Sequence, residues 1–470
     1  VDPDKLDQVL ANLLDNAVRH GAGDVTVEIE PAGDGVSISV SDQGEGVAPD
    51  IRGLVFRRFW RAGRRGGTGL GLYIVKGLVE AHGGDVAVTE APNGGALFRI
   101  ALQFPPAAPV QPQFTINVVH DPYGCAISPN PGTGTSDVSV YRRPLPSTNL
   151  SFLSALMVDG RETVAPLTSE STFEANLVAD LTQQATDATL GHAQATHAPT
   201  ASQLTDIVHF ELGLYTAQAF DLRAGALDQR GATGGVLNVA AMPYYPGIND
   251  SLGADPTGAS FNPVAMQLFA PWANLTRGSG FLDTLNNVAR REIAAGEALF
   301  NDAPITITNV RGLNDNAALG RPTSFVGHCT TCHDTPGVGN HSLPVPLDIG
   351  TSHSALPGQE NDPAIAAALA QLSSPDLPVY RIDGCPNPFN AGQPASFYTT
   401  DPGKALITGN CSDLNRIKGP ILRGLAARAP YFHNGAAASL LEVVNFYNQR
   451  FRMNLTADQK GALVAFLNAL

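Results

Sequence analysis

The first part of the chain alternates between helical and strand patterns of apolar side chains. Apolar residues recur every three or four positions near the start, at Leu6, Val9, Leu10, Leu13, Leu14 and Ala17. This spacing predicts an amphipathic helix over residues 4–20, and a second helix ends near His82. Apolar–polar alternation predicts four strands, over 25–30, 36–41, 86–90 and 96–102. The order of these elements predicts a two-layer α/β sandwich over residues 1–104.

A proline-rich stretch separates this pattern from the rest of the chain. Residues 105–113 contain four prolines, which remove backbone donors and favour an extended spacer. Beyond it the sequence is loop-rich, with short helical patterns and many Pro and Gly turns. We therefore predict a linker at 105–113, and after it a mainly α region with long irregular connections.

Composition and charge argue against several classes of protein. The chain has 470 residues and a formal net charge of −14, without a basic block, which argues against a nucleic-acid partner. No apolar stretch reaches about eighteen residues, so we expect no membrane span. The chain starts at Val1 without a signal peptide, so we expect it to come from a longer or processed gene product. Five cysteines are too few for a disulfide-dense scaffold.

Three short motifs in residues 1–104 suit a nucleotide. Asn12 and Asn16 lie one turn apart on the polar face of the first predicted helix. Asp42 follows a strand and begins a glycine turn, where backbone approaches a ligand closely and the carboxylate can accept a hydrogen bond from an exocyclic amine. A second glycine string opens the next helix, where backbone N–H groups favour phosphate. Taken alone, each motif also suits an ordinary turn or a solvated helix face.

In this order the motifs resemble the ATP-binding domain shared by sensor histidine kinases, gyrase and Hsp90. The resemblance implies ATP as ligand, Mg²⁺ bound by Asn16 and adenine read by Asp42. It implies further nucleotide contacts at Asn12, Gly44, Gly46, Gly67, Thr68, Gly69 and Gly71. In that family a helical hairpin with the phospho-accepting histidine comes before this domain, and here the sequence begins at the domain's first helix. We therefore expect ATP binding without autophosphorylation, and a cytoplasmic location for residues 1–104.

The string Cys329-Thr-Thr-Cys332-His333 carries chemistry of its own. Two thiols at this spacing can add to both vinyl groups of one haem, and the adjacent imidazole then reaches the iron. The alternatives are a redox-active cysteine pair or half of a zinc site. A zinc site needs a second ligand pair, and the spacing of the other cysteines and histidines supplies none. The string therefore predicts one covalent haem c.

The region around this string resembles the di-haem cytochrome c peroxidase and MauG family. The resemblance rests on Pro-Ile-Leu-Arg423 and Ala-Pro-Tyr-Phe-His433-Asn-Gly; it is strong over 285–470 and fainter over 114–284. It implies a cytochrome c haem domain over 281–470, with His333 on the proximal side of the iron. His433 and Arg423 are then expected beside the haem rather than on the metal.

The same resemblance suggests a sixth iron ligand at Tyr447, as in the MauG-like variant of the family. A phenolate there would favour Fe(III) and lower the reduction potential relative to methionine. Met453 and an open, water-bound position are the alternatives. Tyr447 also suits a purely structural role as a core aromatic residue.

The chain departs from that family because it has one haem motif instead of two. The missing motif belongs to the haem that cleaves peroxide, so peroxidase activity stays open. We interpret 114–280 as the remnant of the N-terminal half. The expected function is electron transfer or oxidoreductase chemistry, with a small redox protein as electron donor or acceptor.

Two further features follow from the loops of this region and from the resemblance. Cys385 and Cys411 lie in loop-like contexts, where they either form a disulfide or stay free thiols. The resemblance also suggests a calcium ion near the backbone oxygens of Arg428 and Pro430.

The two resemblances conflict by compartment. Covalent haem is attached in the periplasm, where we expect residues 105–470, whereas ATP is cytoplasmic. We therefore expect a chimera whose junction near 105–113 joins two unrelated sequences, by mis-assembly or by design. A natural fusion is the alternative.

Overall fold

The computed structural model divides the chain into two compact units, Val1–Val110 and Gln111–Leu470, called here unit 1 and unit 2. It describes residues 3–32, 35–60, 70–81, 84–103, 112–124, 127–129, 136–163, 167–276, 278, 280–386 and 396–470. The predicted linker at 105–113 lies almost wholly outside the described residues. Within the described ranges, no helix combines the length and the apolar character needed to cross a lipid bilayer.

Unit 1 is built from two helices and one antiparallel sheet. Its elements are α1 (Pro3–His20), β1 (Thr26–Ala32), β2 (Gly35–Ser41), α2 (Gly71–Ala81), β3 (Asp85–Glu90) and β4 (Ala96–Gln103). The strand order is β1-β2-β4-β3, and all neighbouring strands are antiparallel. The helices and one face of the sheet share a core that includes Leu13, Val75 and Ile100. The predicted two-layer α/β sandwich is confirmed, and the predicted bounds differ from the observed ones by no more than two residues.

Unit 2 contains short elements joined by long irregular segments. Its helices are α3 (Phe173–Asp187), α4 (Ala201–Leu212), α5 (Val236–Ala240), α6 (Phe281–Asp302), α7 (Pro363–Leu369), α8 (Ala405–Thr408), α9 (Leu440–Arg450) and α10 (Ala457–Asn468). Its strands are β5 (Thr115–His120), β6 (Ile127–Pro129), β7 (Ser136–Val138), β8 (Phe220–Asp221), β9 (Gly225–Ala226), β10 (Ile305–Ile307), β11 (Phe325–Gly327), β12 (Val379–Asp383) and β13 (Ser396–Thr399). Helices therefore supply most of the regular structure.

The three-stranded sheet of unit 2 joins parts of the chain that are far apart in sequence. Strand β12 lies between β13 and β5, and the backbone of Ile382 pairs with that of Ile116. This pairing crosses the boundary predicted between 114–280 and 281–470. Because Gln111–Leu470 form one compact unit, that boundary stays a prediction drawn from sequence motifs.

The closest helix packing in unit 2 is between α6 and α10. Helix α10 begins at Thr456, whose side chain and that of Gln459 form the predicted capping box. A Cβ atom added to Gly296 of α6 would lie 1.9 Å from the carbonyl oxygen of Ala462 in α10. Only glycine allows the two backbones to approach this closely. The contact continues into an aromatic core that contains Phe466 and Trp272.

The substitution Gly296→Ala is expected to lower the free energy of unfolding of unit 2 by about 1–3 kcal/mol, because the new methyl group overpacks the helix interface. Gly461→Ala on α10 is the matched control. Its Cβ would meet nothing nearer than Glu292 Oε1 at 3.9 Å, so it should stabilise the helix by up to about 1 kcal/mol. Urea titration of Trp272 fluorescence in a Trp60→Phe background measures both changes. Equal effects of the two variants would contradict the packing.

Candidate functional site

The end of strand β2 leads directly into the first predicted motif of unit 1. The Asp42 side chain is buried, and its Oδ1 accepts hydrogen bonds from the backbone N–H of Gly44 at 2.8 Å and of Ala96 at 3.3 Å. Oδ2 takes part in neither of these bonds. Gly46 has a φ of +73°, so the turn after Asp42 uses a conformation that favours glycine. Asp42 is therefore held rigidly, with one carboxylate oxygen not used by the turn.

Two glycines that the sequence did not single out pack against Asp42. A Cβ on Gly95 would lie 2.1 Å from the Asp42 carbonyl oxygen, and a Cβ on Gly21 would lie 2.6 Å from the Asp42 side chain. Gly95 also has a φ of +90°. Two sequence features could have indicated this packing: Gly21 directly follows the first helix, and Gly94-Gly95 form a turn between two strands. Contacts between residues this distant in sequence are set by the fold.

The structure brings Asn12 to the beginning of α2. A Cβ on Gly71, the first residue of α2, would lie 3.0 Å from Asn12 Oδ1. Asn12 Nδ2 donates to the Gln8 carbonyl oxygen at 2.6 Å, so the amide oxygen is directed away from its own helix backbone. Asn16 is half-buried one turn later on α1. The remaining predicted positions, Gly67, Thr68 and Gly69, lie outside the described residues.

Comparison with known proteins identifies unit 1. Residues 1–106 match the family model described as "Histidine kinase-, DNA gyrase B-, and HSP90-like ATPase". The sensor histidine kinase component HK1 of Mycobacterium tuberculosis (strain H37Rv) is 41% identical over 127 residues, which are 26% of this chain and 76% of that relative. The chain belongs to this family.

Other members of the histidine kinase-like ATPase family match over a smaller share of their own length. Histidine-protein kinase AfsQ2 of Streptomyces coelicolor is 40% identical over 113 residues, which are 23% of this chain and 21% of the relative. The chain thus spans about a fifth of that kinase. Among solved structures, the mycobacterial sensor histidine kinase MprB is 37% identical and covers 22% of this chain and 72% of its own, with a TM-score of 0.21.

Unit 2 of this ATPase-family chain encloses an apolar cavity that contains the predicted haem-binding string. About 230 Å³ of it is open to water-sized spheres, whereas a single buried water needs only about 10–15 Å³. Cys329, Cys332 and His333 all line it, together with aliphatic and aromatic side chains of α9 and α10. The cavity is therefore much larger than an ordinary packing defect.

The cysteine–histidine string is shaped by a short 3₁₀ turn over Cys329–Thr331. Both cysteines are free thiols, and burial raises the pKa of each to about 12, so both are neutral at neutral pH. The His333 Nδ1 lies 2.6 Å from the Gly339 carbonyl oxygen. A hydrogen bond there fixes the ring and leaves Nε2 as the nitrogen available to a metal. Burial lowers the pKa of His333, which favours the neutral imidazole that binds metals.

Both candidates for the sixth ligand line the same cavity. Tyr447 of α9 stacks on Phe451 with ring centroids 6.1 Å apart, and Met453 follows α9. Burial and the nearby thiols raise the pKa of Tyr447 well above its usual value, so the phenol stays protonated in the absence of a metal. Because both residues line the cavity, their positions favour neither one as the sixth ligand.

The two residues expected beside the haem differ in position. His433 lines the cavity, and its Nε2 lies 3.2 Å from Ser352 Oγ and 3.5 Å from Asp401 Oδ2. Arg423 is buried, but its Nη2 donates to the Met242 sulfur at 3.8 Å, and in the described part of the chain it is absent from the cavity lining. Its predicted role beside the haem gains no support from this position.

The remaining predicted features of unit 2 are the cysteine pair and the calcium position. Cys385 and Cys411 form a disulfide, the pairing that their sequence contexts left open. The Arg428 carbonyl oxygen, suggested as a calcium ligand, accepts a hydrogen bond from Arg143 Nη2 at 2.7 Å. A guanidinium cation at this oxygen disfavours a calcium ion there, because like charges repel.

We expect Gly95→Ala to destabilise unit 1 more than Gly94→Ala does. Both residues have positive φ, so both variants carry backbone strain of about 1 kcal/mol or more. Only the Gly95 methyl group would collide with Asp42, since a Cβ on Gly94 meets nothing within 4 Å. Urea titration of Trp60 fluorescence in a Trp272→Phe background gives the difference. If Gly94→Ala were as destabilising, the close approach to Asp42 would not be the cause.

Proposed function

We propose that unit 1 binds ATP with Mg²⁺ as the nucleotide-binding domain of a sensor histidine kinase. The observation that carries this proposal is Asp42, buried among glycines with one carboxylate oxygen outside the turn's hydrogen bonds. A fixed anionic acceptor in a tight glycine turn suits the exocyclic amine of adenine. Membership of the ATPase family supports the same ligand.

The phosphates and the metal ion are assigned to the region between α1 and α2. The amide oxygens of Asn12 and Asn16 are hard ligands of the kind that Mg²⁺ prefers. The N-terminus of α2 at Gly71 adds backbone N–H groups, which favour phosphate. Transfer of phosphate to a histidine also needs a phospho-accepting partner, and the proposal for unit 1 is confined to nucleotide binding.

Asp42→Asn is expected to weaken binding of a fluorescent ATP analogue, measured with Mg²⁺, by roughly 10–100-fold. This factor corresponds to the loss of a charge-assisted hydrogen bond worth about 1.5–3 kcal/mol. Asp50→Asn, an exposed carboxylate in the same loop region, is the control and should bind as the parent does. Absence of binding by the parent chain would remove the proposal.

For unit 2 we propose a covalently bound haem c, as in the di-haem cytochrome c peroxidase and MauG family. The cavity favours this second function because it joins both thiols, the His333 ring and an apolar lining in one space. An apolar lining suits a porphyrin, whereas a zinc site would require polar ligands in place of that lining. The Cys329 and Cys332 sulfurs would form the two thioethers, and His333 would bind the iron.

When bound, the group would supply one-electron redox chemistry. Residues of this chain would control the environment of the haem. Gly339 orients the His333 ring through its carbonyl oxygen, and the aliphatic and aromatic wall excludes water. We propose a small redox protein as the electron donor or acceptor, and the proposal does not extend to peroxide cleavage.

The two proposed functions belong to different compartments. Haem attachment through thioethers is proposed for the periplasm and ATP binding for the cytoplasm. We propose that the chain is a chimera joined near 105–113, in which each unit keeps the residues of its own site.

Haem attachment is tested by the pyridine haemochrome spectrum of the full chain, produced in the periplasm with haem-attachment machinery. We expect one covalent haem per chain. The double variant Cys329→Ser/Cys332→Ser should carry none, because no thioether can form. The matched control Cys385→Ser/Cys411→Ser removes the two disulfide cysteines and should keep the haem. Absence of a covalent haem spectrum in the parent would refute the proposal.

The sixth ligand is tested on the haem-loaded chain. Tyr447→Phe is expected to raise the midpoint potential by on the order of 100 mV, because a hard anionic donor to Fe(III) is lost; axial ligands span about 0.8 V. It should also remove the phenolate-to-iron absorption band. Met453→Leu should leave both unchanged. The opposite pattern would assign the position to Met453.

A further inference from the structure

Three buried side chains from two loop regions of unit 2 converge, and none of them has a role assigned above. Asp250, Asp334 and His341 are 0%, 0% and 2% exposed. Each offers one oxygen or nitrogen atom, and these atoms all lie within 4.8 Å of one another. The His341 Nδ1 is 2.8 Å from Asp334 Oδ2. Protein side chains thus supply two carboxylates and one imidazole to one buried point.

The backbone fixes both carboxylates before any ligand arrives. Asp250 Oδ2 accepts hydrogen bonds from the N–H groups of Leu252 at 3.1 Å and Ala254 at 2.7 Å. Asp334 Oδ1 accepts one from the N–H of Ser342 at 2.7 Å. Asp334 Oδ2 also accepts a longer one from the N–H of Ser251 at 3.4 Å. The backbone therefore orients both carboxylates.

The cluster contains buried atoms without a hydrogen-bond partner. Among the described residues, Asp250 Oδ1 has none, and neither does His341 Nε2. An unsatisfied buried carboxylate oxygen is costly, so such an atom in a folded core indicates a missing ligand. Both atoms belong to the residues that converge.

The charge of the cluster points to a cation. With both carboxylates ionised, a single imidazole cannot cancel the whole negative charge of the cluster. Within the described part of unit 2, neither Asp250 nor Asp334 has an ion pair with a Lys or Arg side chain. A buried uncompensated negative charge is strongly unfavourable, and a divalent ion removes it.

We propose that Asp250, Asp334 and His341 bind a divalent transition-metal ion. One imidazole with two carboxylates suits Zn²⁺ or Mn²⁺, whereas Ca²⁺ and Mg²⁺ prefer oxygen ligands throughout. Water completes the coordination. The site stabilises the loops around residues 250 and 334, and its His341 also lines the apolar cavity.

Zinc content per chain tests this site on the full-length protein. Any free thiols are first alkylated, so that Cys329 and Cys332 cannot bind the metal whether or not haem is attached. The chain is then stripped with chelator, equilibrated with Zn²⁺ and dialysed, and zinc is counted by mass spectrometry. We expect one Zn²⁺ per parent chain, and at least a tenfold loss of affinity in Asp250→Asn. Asp255→Asn, a buried carboxylate in the same loop region but outside the cluster, should bind as the parent does.

Two further measurements keep the result decisive if Asp250→Asn does not fold. His341→Gln, checked by near-UV circular dichroism, should also lose the ion. Co²⁺ bound to the alkylated parent should give visible bands typical of nitrogen and oxygen donors, which change in His341→Gln. The proposal would be overturned if the parent chain bound no metal, or if the folded variants still bound it. In that case a protonated His341 that bridges the two carboxylates would explain the cluster.

Discussion

The stability of unit 2 depends on how its apolar cavity is filled. Atoms that face a void lose their dispersion contacts, and measured cavity costs of about 24 cal/mol per Å³ imply about 5 kcal/mol for the 230 Å³ described here. That cost is comparable with the whole stability of many domains. A group that fills the cavity therefore contributes to folding as well as to function. The short helices and irregular segments of unit 2 are consistent with a core that is completed by such a group.

The candidate site of unit 1 depends instead on glycines, which have no side chain and so allow close packing. Gly21 and Gly95 let backbone pack directly on Asp42, and Gly71 lets the start of α2 approach Asn12. The result is a carboxylate and an amide fixed at the edge of an otherwise ordinary α/β sandwich. Little of this site is built by long polar side chains, so small residues carry as much of its geometry as the polar groups do.

Local sequence patterns predicted local structure well. Apolar periodicity located α1, α2 and the four strands of unit 1, and the Thr456–Gln459 pair located the start of α10. The cysteine–histidine string, from which the sequence predicted a haem, lies in the lining of an apolar cavity. The pairing of β5 with β12, the Gly95 contact and the Asp250 cluster were not predictable. Each of these joins residues far apart in sequence, and their proximity is set only once the chain has folded.

The proposal that haem completes the core of unit 2 can be tested by amide hydrogen exchange. The chain is compared with and without attached haem, and exchange is followed in α9 and α10, whose side chains line the cavity. Haem is expected to increase protection there by on the order of a thousandfold or more, the factor that corresponds to a cavity cost of about 5 kcal/mol, while α1 of unit 1 is unchanged. Equal protection of α9 and α10 in both forms would contradict it.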